Sequence, residues 1–347
     1  MDLTAALLEL LAFPCVTGEE GPIADLLAAR YAGEQVRRIG HSLVIGSAAD
    51  DGRPLVALVG HTDVVPPTDA DRVPHTEGDR IVGRGASDMK SGLVVAMDAF
   101  ARHRGGRHRL LLVAYAGEEG PQAGNELGAV LDACPDLRAA ALAVVLEPTD
   151  GTVQLGCMGA LHAQITFTGR AAHSARPWQG DNALTKAAPF LAQLGARQPV
   201  DVAVDELVYR EVVTATGAWT DNARNVVPDR FTVNANYRFA PDKTPEQAVA
   251  LVHGLVAQRA VVEIADLVPA APPRRDDATV AAFIRAVGAT VEPKQAWTDV
   301  ARFAQIGVPA LNFGPGETAQ AHQAGESVAV AALPAAARAL DRFLGGL

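Results

Sequence analysis

The feature that most constrains the fold of this chain is the alternation of short apolar runs with a helical pattern. The runs lie at 54–60, 108–117 and 142–148, and a helical pattern at 91–103 separates the first two. Runs of this length and composition predict strands buried on both faces, and a helix between two of them favours parallel pairing. The first part of the chain therefore predicts an α/β fold with a mostly parallel sheet.

The pattern changes after about Gly159, where strands with one solvated face are predicted. Residues 161–169 and 230–241 alternate between apolar and polar side chains, and helical patterns occupy 181–195 and 244–258. Such alternation is typical of antiparallel sheets that pack on a core with one face. These segments predict a small α+β domain inserted into the α/β domain.

Domain boundaries follow from the change between these two patterns. A last strand and a proline-rich link at 262–277 close the insertion, and the apolar run at 307–316 resumes the first pattern. We therefore assign residues 1–158 and 273–347 to the α/β domain and residues 159–272 to the inserted domain.

The charge and cysteine content exclude several classes of partner and site. The chain of 347 residues has a formal net charge of −10, whereas nucleic-acid-binding proteins concentrate Lys and Arg, so we expect no nucleic-acid partner.

Residues 1–13 form an amphipathic helical pattern without a basic region, which favours a cytoplasmic protein with no signal peptide, membrane span or membrane partner. Cys15, Cys134 and Cys157 are odd in number and far apart, which favours reduced thiols. A metal site would therefore use His, Asp and Glu.

Histidines and carboxylates follow the predicted strands of the α/β domain at the point where each strand ends. Ligands of open α/β sheets gather at the carboxyl ends of the strands, so side chains that follow several strands meet at one edge. A further carboxylate lies in a glycine-bounded loop directly before the helical pattern at 91–103. The strand-end residues are His61, Glu118, Glu119, Glu147 and His322, and the loop residue is Asp88.

Single members of this set also have simpler interpretations. His61 could be a hydrogen-bonded histidine, and Asp88 could cap the helix that follows. Glu118 and Glu119 could lie in a solvated loop. The joint occurrence at successive strand ends favours a metal site instead. Histidine and carboxylate ligands without cysteine suit one or two zinc ions, which bind nitrogen and oxygen at about 2.0–2.2 Å.

The carboxylates nearest the strand ends are predicted to have different roles around such ions. Adjacent carboxylates repel each other unless a positive charge lies close by. With two metals about 3.5–4 Å apart, Glu119 would bind one, while Glu118 would take the proton from a water molecule between them. Asp63 follows His61 by two residues, so its carboxylate is placed to accept the second ring N–H of His61 rather than to bind metal.

A glycine-rich fragment at 83–88 leaves a second interpretation open. GRGASD resembles part of a dinucleotide-binding loop, in which glycines allow the backbone to approach a pyrophosphate closely. The third glycine and the acidic residue about twenty positions later are missing. A nicotinamide-dependent enzyme is therefore less favoured than a metal-dependent one.

Five motifs resemble, in order and spacing, the di-zinc aminoacylase and carboxypeptidase superfamily over nearly the whole chain. They are HTDVVP (61–66), GRGASDMKSG (83–92), AGEEG (116–120), LEPT (146–149) and the late His322. Within that superfamily, further segments are similar to the succinyl-diaminopimelate desuccinylases of actinobacteria. They are residues 156–183, NVVPD (225–229), NYRFAPD (236–242) and WTDVARF (297–303).

The resemblance implies a zinc-peptidase-like catalytic domain and an inserted, ferredoxin-like α+β domain that acts as lid and dimer interface. It implies two zinc ions, and Co²⁺ or Mn²⁺ would suit the same ligand types. Asp88 would bridge the two ions, and Glu118 would be the general base. The remaining ligands would be His61 and Glu147 for one ion and Glu119 and His322 for the other.

Further residues acquire roles through the same resemblance. His173, in the motif AAHSA, would stabilise the oxyanion in the active site of the partner subunit of a homodimer. Asn225 and Arg238 match positions that bind substrate. The peptide bond between Asp88 and Met89 would be cis, which is rare before a residue other than proline.

The implied substrate is a small anionic N-acyl amino acid, and the implied reaction removes the succinyl group from N-succinyl-LL-2,6-diaminopimelate. The chain departs from several desuccinylases at Met158, where they carry an arginine. Recognition of substrate carboxylates would then rest on Arg238 and Arg176, with Thr298 as a further contact. An acetylornithine deacetylase, another N-acyl-amino-acid deacylase, a dipeptidase and a non-catalytic binding protein with this fold remain alternatives.

Overall fold

The computed structural model of the chain describes residues 1–47 and 49–345. Residues 48, 346 and 347, which belong to the predicted segments 1–158 and 273–347, lie outside the described residues. The chain divides into two compact units. Unit 1 comprises Met1–Leu155, Arg274–Glu292 and Arg302–Leu347, and unit 2 comprises Gly156–Pro273 and Pro293–Ala301. Unit 2 thus includes residues 293–301, which the sequence pattern placed in the α/β domain.

Strands and helices follow one another along both units. The strands are β1 Val36–Ile39, β2 Ser42–Ile45, β3 Leu55–His61, β4 His75–Glu77, β5 Arg80–Val82, β6 Arg109–Tyr115, β7 Leu142–Val145, β8 Val153–Leu155, β9 Gly159–Thr168, β10 Ala172–His173, β11 Val200–Val204, β12 Leu207–Trp219, β13 Val226–Val227, β14 Arg230–Phe239, β15 Val261–Val268, β16 Val291–Pro293, β17 Ala310–Asn312 and β18 Ser327–Ala329. The α-helices are α1 Leu3–Leu11, α2 Gly21–Arg30, α3 Lys90–His103, α4 Leu127–Ala133, α5 Ala183–Ala196, α6 Pro245–Val256, α7 Ala278–Val287, α8 Val300–Gln305 and α9 Ala332–Gly345. Short 3₁₀ turns lie at Gln122–Gly124, Pro135–Ala139, Pro177–Gln179 and Thr318–Gln320. No helix in the described part of the chain combines the length and the apolar character needed to span a membrane.

Unit 1 is built around a mixed sheet with a parallel centre. Within residues 1–47 and 49–345, eight strands pair in the order β1-β2-β6-β3-β7-β17-β8-β16. The run β6-β3-β7-β17 is parallel, whereas β2 and β8 pair antiparallel with its two ends. Every residue of β3, β6 and β7 is buried. The predicted α/β fold with a mostly parallel mixed sheet is confirmed.

Parallel pairing brings the carboxyl ends of four strands to one edge of this sheet. His61, the last residue of β3, pairs with Tyr115, the last residue of β6. Val145, the last residue of β7, pairs with Val59 of β3 and with Asn312, the last residue of β17. The segments that leave these strands therefore start side by side, at the edge where open α/β sheets bind ligands.

Helix α3 anchors the end of the loop that carries Asp88. Its residues from Lys90 to Phe100 are all buried, and the helix packs against β3, β6, α1 and α9. Nζ of Lys90 donates to the carbonyl oxygens of Leu10 (3.3 Å) and Phe13 (2.5 Å), where α1 ends. Burial lowers the pKa of Lys90 to about 8. The first turn of α3 is thus tied to the interior of unit 1.

Unit 2 contains an antiparallel sheet that is covered by helices on one face. Its strands pair in the order β11-β12-β14-β9-β15. Apart from the edge strand β11, the chain order β9-α5-β12-β14-α6-β15 and the sheet order are those of a ferredoxin-like fold. Phe167, Phe190, Val233 and Phe239 belong to the apolar cluster between this sheet and α5 and α6. The predicted ferredoxin-like α+β fold is confirmed, whereas its roles as lid and dimer interface stay predictions.

Several strands give too little pattern to be predicted from the sequence. In β12 the alternation of buried and exposed residues ends at Val213, and the register with β14 shifts between Ala215 and Gly217. The second half of β12 is mostly exposed, so it lacks an apolar signal. Strands β4, β5 and β18, which pair with one another in unit 1, have three residues each and are too short to show a period.

Candidate active site

The residues that follow the parallel strands converge in unit 1. Among the described residues, three overlapping sets could each hold a metal ion, because their ligand atoms lie within 4.8 Å of one another. The sets are His61, Asp88 and Glu147; Asp88, Glu119 and His322; and His61, Glu118 and Glu119. The structure thus brings together every residue that the sequence predicts as a metal ligand, together with the predicted general base.

Asp88 lies between the two histidines of this cluster. Its Oδ1 atom is 3.2 Å from Nε2 of His61, and its Oδ2 atom is 3.8 Å from Nε2 of His322. Nε2 of His61 also lies 4.0 Å from Oε1 of Glu147, and Nε2 of His322 lies 2.9 Å from Oε2 of Glu119. The cluster therefore has two halves that share the carboxylate of Asp88.

The two halves differ in their access to solvent. The side chain of His61 is 1% exposed, whereas that of His322 is 53% exposed. The shared carboxylate of Asp88 is intermediate, with 13% of its side chain exposed. Solvent therefore reaches the cluster from the side of His322, and the His61 half is its buried end.

Asp63 connects the loop after β3 to the loop after β6. It is fully buried, and its Oδ1 and Oδ2 atoms accept the backbone N–H groups of Glu118 and Glu119, each at 3.0 Å. The hydroxyl of Thr17 donates to the same carboxylate at 2.8 Å. Nδ1 of His61 lies 3.0 Å from the carbonyl oxygen of Asp63 and 3.6 Å from its Oδ1 atom. Asp63 thus orients the His61 ring and both glutamates at once.

Unusual backbone geometry occurs in both loops that carry the central carboxylates. The peptide bond between Asp88 and Met89 is cis, which confirms the prediction. Gly117 has a φ of +81°, and a Cβ atom there would lie 2.3 Å from the carbonyl oxygen of Gly124. Only glycine fits that turn. Gly117 therefore sets the direction of the backbone that carries Glu118 beyond the end of β6.

Charge within the cluster favours a cation at the histidines. Burial opposes protonation of His61, but hydrogen bonds with Asp63 and Asp88 and the charge of Glu118 raise its pKa well above the usual range. The hydrogen bond with Glu119 raises the pKa of His322. Burial opposes ionisation of Asp63, but its hydrogen bond with His61 and the charge of that ring lower the pKa of Asp63 to about 2. A divalent cation would compete with protons for these imidazoles, because a metal binds the neutral ring.

The donor atoms of the cluster fit a pair of divalent cations. One carboxylate, that of Asp88, presents its two oxygens to two different histidines, which is the arrangement that a bridging ligand needs. The other donors are imidazole nitrogens and carboxylate oxygens, a set that suits Zn²⁺, Co²⁺ or Mn²⁺. The residues present are therefore compatible with the predicted metal pair.

Two residues that support the cluster were not identified from the sequence. Thr17 donates to Asp63, and Glu326 accepts the backbone N–H group of Asp88 at 2.8 Å. Thr17 follows no strand and belongs to no motif, so the sequence carries no signal for it. Glu326 lies four residues after His322, and that short separation from a predicted ligand is the one available signal.

In unit 2, three of the predicted residues lie at the small β10-β13 pair. His173 pairs with Val226, and the N–H group of Ser174 donates to the carbonyl oxygen of Asn225 at 2.9 Å. The N–H group of Arg176 donates to the carbonyl oxygen of His173 at 2.8 Å. The structure therefore brings His173, Arg176 and Asn225 together on adjoining turns, and all three are exposed.

The other predicted substrate contacts lie elsewhere in unit 2. Arg238 is half-buried on β14, and its Nε donates to Oδ1 of Asn236 at 3.1 Å. Burial lowers the pKa of Arg238. Thr298 is 2% exposed, and Met158 is fully buried with its N–H group bonded to the carbonyl oxygen of Ala296 at 3.2 Å. Their roles toward a substrate stay predictions.

Curated relatives match the chain along nearly its whole length. The chain is 38% identical over 355 residues to a Mycobacterium tuberculosis protein provisionally named a succinyl-diaminopimelate desuccinylase, with 100% of this chain and 98% of that protein covered. It is 36% identical over 352 residues to the succinyl-diaminopimelate desuccinylase of Corynebacterium glutamicum, with 96% and 94% covered.

Solved structures share the fold at lower sequence identity. An M20 family metallo-carboxypeptidase of Sulfolobus solfataricus superimposes with a TM-score of 0.77 at 18% identity, over 99% of this chain and 98% of that one. A dinuclear metal-binding peptidase of Bacillus subtilis gives a TM-score of 0.68 at 15% identity, over 99% and 96%. The family model described as peptidase family M20/M25/M40 matches residues 57–345. The chain therefore belongs to peptidase family M20/M25/M40, and it is a metallohydrolase that acts on amide bonds.

Proposed function

We propose that the cluster in unit 1 binds two metal ions and hydrolyses the amide bond of an N-acyl amino acid. The observation that carries this proposal is the position of Asp88, whose two oxygens face His61 and His322. We assign His61, Asp88 and Glu147 to one ion and Asp88, Glu119 and His322 to the other. Two-metal sites of this kind orient both the attacking oxygen and the group under attack.

Zinc is the proposed metal, because imidazole and carboxylate ligands without sulfur are typical of catalytic zinc sites. Co²⁺ or Mn²⁺ would suit the same donors, and availability in the cell decides among them. When bound, the metal pair lowers the pKa of a water molecule toward neutrality and polarises the amide carbonyl. The protein supplies the ligands, the proton transfers and the orientation of the substrate.

Glu118 is the proposed proton carrier. Its carboxylate lies in the set formed with His61 and Glu119, and its backbone is held by the 3.0 Å hydrogen bond to Asp63. As general base Glu118 accepts a proton from the attacking water, whose oxygen bonds to the acyl carbon. As general acid it returns the proton to the amine nitrogen while the C–N bond breaks. The products are a carboxylate and a free amine.

His173 of a second copy of the chain is the proposed donor to the oxyanion, in a homodimer formed through unit 2. The backbone N–H group of Ala175 donates to Nδ1 of His173 at 3.0 Å, so the neutral ring carries its proton on Nε2. Because the residue is exposed, this N–H group is presented to the surroundings of unit 2. A fixed donor of this kind stabilises negative charge that develops on the carbonyl oxygen.

The proposed substrate is N-succinyl-LL-2,6-diaminopimelate, a small anionic molecule. The names of the relatives at 36–38% identity over nearly the full chain support it. We assign its carboxylates to Arg238 and Arg176 and further contacts to Asn225 and Thr298. The hydrogen bond to Asn236 uses Nε of Arg238, and a guanidinium can bind a carboxylate through its terminal nitrogens.

The identity of the acyl group is tested first, because Met158 occupies the position at which several desuccinylases carry an arginine. Amine release from N-succinyl-LL-diaminopimelate and from N-acetylornithine should be measured with chelator-stripped protein before and after zinc is restored. We expect no turnover without metal and restored turnover that strongly favours the succinyl substrate. Restored turnover of the acetyl substrate alone would keep the two-metal hydrolase and reassign the substrate. Metal-independent turnover, or none with either substrate, would contradict the proposal.

A further inference from the structure

A buried carboxylate lies directly behind the loop that carries Asp88. Glu326 is 1% exposed, and its Oε1 atom accepts the backbone N–H groups of Ser87 and Asp88, each at 2.8 Å. Its Oε2 atom accepts the N–H group of Gly85 at 3.1 Å and Nη1 of Arg84 at 3.0 Å. Three backbone amides and one guanidinium of the loop from Arg84 to Asp88 therefore donate to this one carboxylate.

The cation of this arrangement is shared with a second buried carboxylate. Nη2 of Arg84 lies 3.1 Å from Oδ2 of Asp71, and Arg84 and Asp71 are 5% and 1% exposed. Asp71 also accepts the N–H group of Thr68 at 2.7 Å and that of Gly325 at 3.0 Å. A buried charge is tolerated only when it is paired and hydrogen-bonded, and each carboxylate here meets that condition.

These contacts join the two loops that carry the shared carboxylate and the exposed histidine. Glu326 lies four residues after His322, so its side chain bridges from the His322 loop to the Asp88 loop. The hydroxyl of Ser87 adds a second link, because it donates to the carbonyl oxygen of Glu317 at 2.9 Å and accepts the N–H group of Glu317 at 2.6 Å. The separation between Asp88 and His322 therefore depends on these buried links.

We propose that Glu326 is a positioning residue for the metal pair: it holds the Asp88 loop so that the two oxygens of Asp88 face His61 and His322. This inference rests on the proposed function, because it takes Asp88 and His322 to be metal ligands. Glu326 itself belongs to none of the ligand sets among the described residues. Its effect on the metals passes through the backbone of residues 85–88.

The chemistry of the contacts explains why a glutamate is needed at this position. Both carboxylate oxygens face donors only, so a glutamine would place its NH₂ group against either two backbone N–H groups or Gly85 N and Arg84 Nη1. An aspartate would keep the charge, but its side chain is one methylene shorter, so its carboxylate cannot reach every donor. Glu326→Gln should therefore displace the loop more than Glu326→Asp does.

The test is the metal affinity of chelator-stripped variants, measured with Zn²⁺ in competition with a chelator of known affinity, together with the absorption spectrum of the Co²⁺ form. We expect Glu326→Gln to bind metal about 10–100-fold more weakly, which is the usual effect of losing a partner of a metal ligand. The Co²⁺ spectrum should change as well, because it reports ligand geometry and a purely structural role would leave it alone. Glu326→Asp should lie between Glu326→Gln and the parent.

Glu211→Gln provides a matched control in unit 2. Glu211 is 6% exposed and accepts the N–H group of Ala240 at 2.8 Å, the hydroxyl of Tyr237 at 3.0 Å and Nζ of Lys243 at 2.9 Å. Loss of this buried carboxylate should lower stability without changing metal affinity or the Co²⁺ spectrum.

Three outcomes decide the inference. Parental metal affinity and an unchanged Co²⁺ spectrum in folded Glu326→Gln would overturn it while leaving the proposed function intact. If Glu326→Gln does not fold, Glu326→Asp decides in the same way, since weakened affinity supports the inference and parental affinity overturns it. If the parent chain itself binds no metal, the proposed function fails, and the inference fails with it.

Discussion

The sheet of unit 1 and the sheet of unit 2 place their polar side chains in different ways. In unit 1, β3, β6 and β7 are buried along their whole length, and the reactive side chains lie in the loops beyond the strand ends. In unit 2, β9 alternates between buried and half-exposed residues, and one of its half-exposed residues, His162, contacts Asn234 and Asn236 of β14. A sheet covered on both faces concentrates chemistry at one edge, whereas a sheet covered on one face displays polar groups along its strands.

Because of this difference, we expect substitutions in the two units to change different measurable properties. The cluster of unit 1 is held by buried polar contacts, so changes there should alter metal binding or turnover. The core of unit 2 is held by apolar contacts, so changes there should alter its stability. All three tryptophans, Trp178, Trp219 and Trp297, lie in unit 2, so tryptophan fluorescence reports its unfolding separately.

The largest effect is expected from Glu118→Gln in unit 1. Turnover should fall by about 10²–10⁴-fold, because the substituted amide cannot carry the proton, while both metals stay bound. Turnover and metal content per chain measure the two effects together, with Glu77→Gln, an exposed carboxylate of β4, as the control. Loss of a metal from Glu118→Gln would show that Glu118 is a ligand within its set with His61 and Glu119. Activity within tenfold of the parent, with zinc retained, would rule out Glu118 as the base.

The next effect is expected from Phe190→Ala in unit 2. Phe190 is 1% exposed in the apolar cluster, and its ring centroid lies 5.9 Å from that of Phe167. Its removal leaves a cavity and should lower the free energy of unfolding of unit 2 by about 3–5 kcal/mol. Denaturant unfolding followed by tryptophan fluorescence measures this change.

The matched control for Phe190→Ala is Leu184→Ala on the same helix, because Leu184 is 44% exposed. It should change the free energy of unfolding by no more than about 0.5 kcal/mol. Metal content should be unchanged in both variants. A drop in metal content of Phe190→Ala would show that the core of unit 2 and the metal cluster of unit 1 do not respond independently.

A smaller effect on metal affinity is expected from Asp63→Asn in unit 1. Asparagine retains one acceptor oxygen and places an NH₂ group against a backbone N–H group of Glu118 or Glu119, so the loop after β6 should shift. Metal affinity should fall by about 10–100-fold. Chelator competition measures the affinity, as for the variants of Glu326.

Asp98→Asn is the control for that variant. Asp98 is 4% exposed and pairs with Arg102 at 2.7 Å and with the N-terminal amine at 3.2 Å, outside the cluster. It should cost stability and leave metal affinity unchanged. Equal metal affinity in Asp63→Asn and Asp98→Asn would contradict the role of Asp63 as a positioning residue.

Much of the fold was predictable because hydrophobic periodicity is a local property. The buried runs gave β3, β6 and β7, and the alternating runs gave β9 and β14, to within a few residues. Strand β12 was missed because its second half has no buried face, and β4, β5 and β18 were missed because three residues cannot show a period. Residues 293–301 belong to unit 2, whereas the sequence pattern assigned them to the α/β domain, since nothing in their composition shows which unit they join.

The candidate ligand residues of the cluster could be found from the sequence because each ends or follows a strand or precedes a helix. Parallel strands carry their carboxyl ends to one edge, so His61, Glu119, Glu147 and His322 were expected to meet before any distance was known. The supporting contacts could not be found in this way. Glu326 reaches the Asp88 loop across 238 positions of sequence, and only the folded chain shows that its two oxygens face four donors.

The sequence by itself determined the two architectures and the chemical types of the site residues, because burial period and strand-end position are written into consecutive residues. Tertiary structure alone decided how those residues are held. One oxygen of Asp88 faces each histidine, and the carboxylate of Asp63 accepts the amides of Glu118 and Glu119. The carboxylate of Glu326 accepts the amide of Asp88. These are contacts between segments far apart in the chain, and their geometry depends on the packing of the whole unit around them.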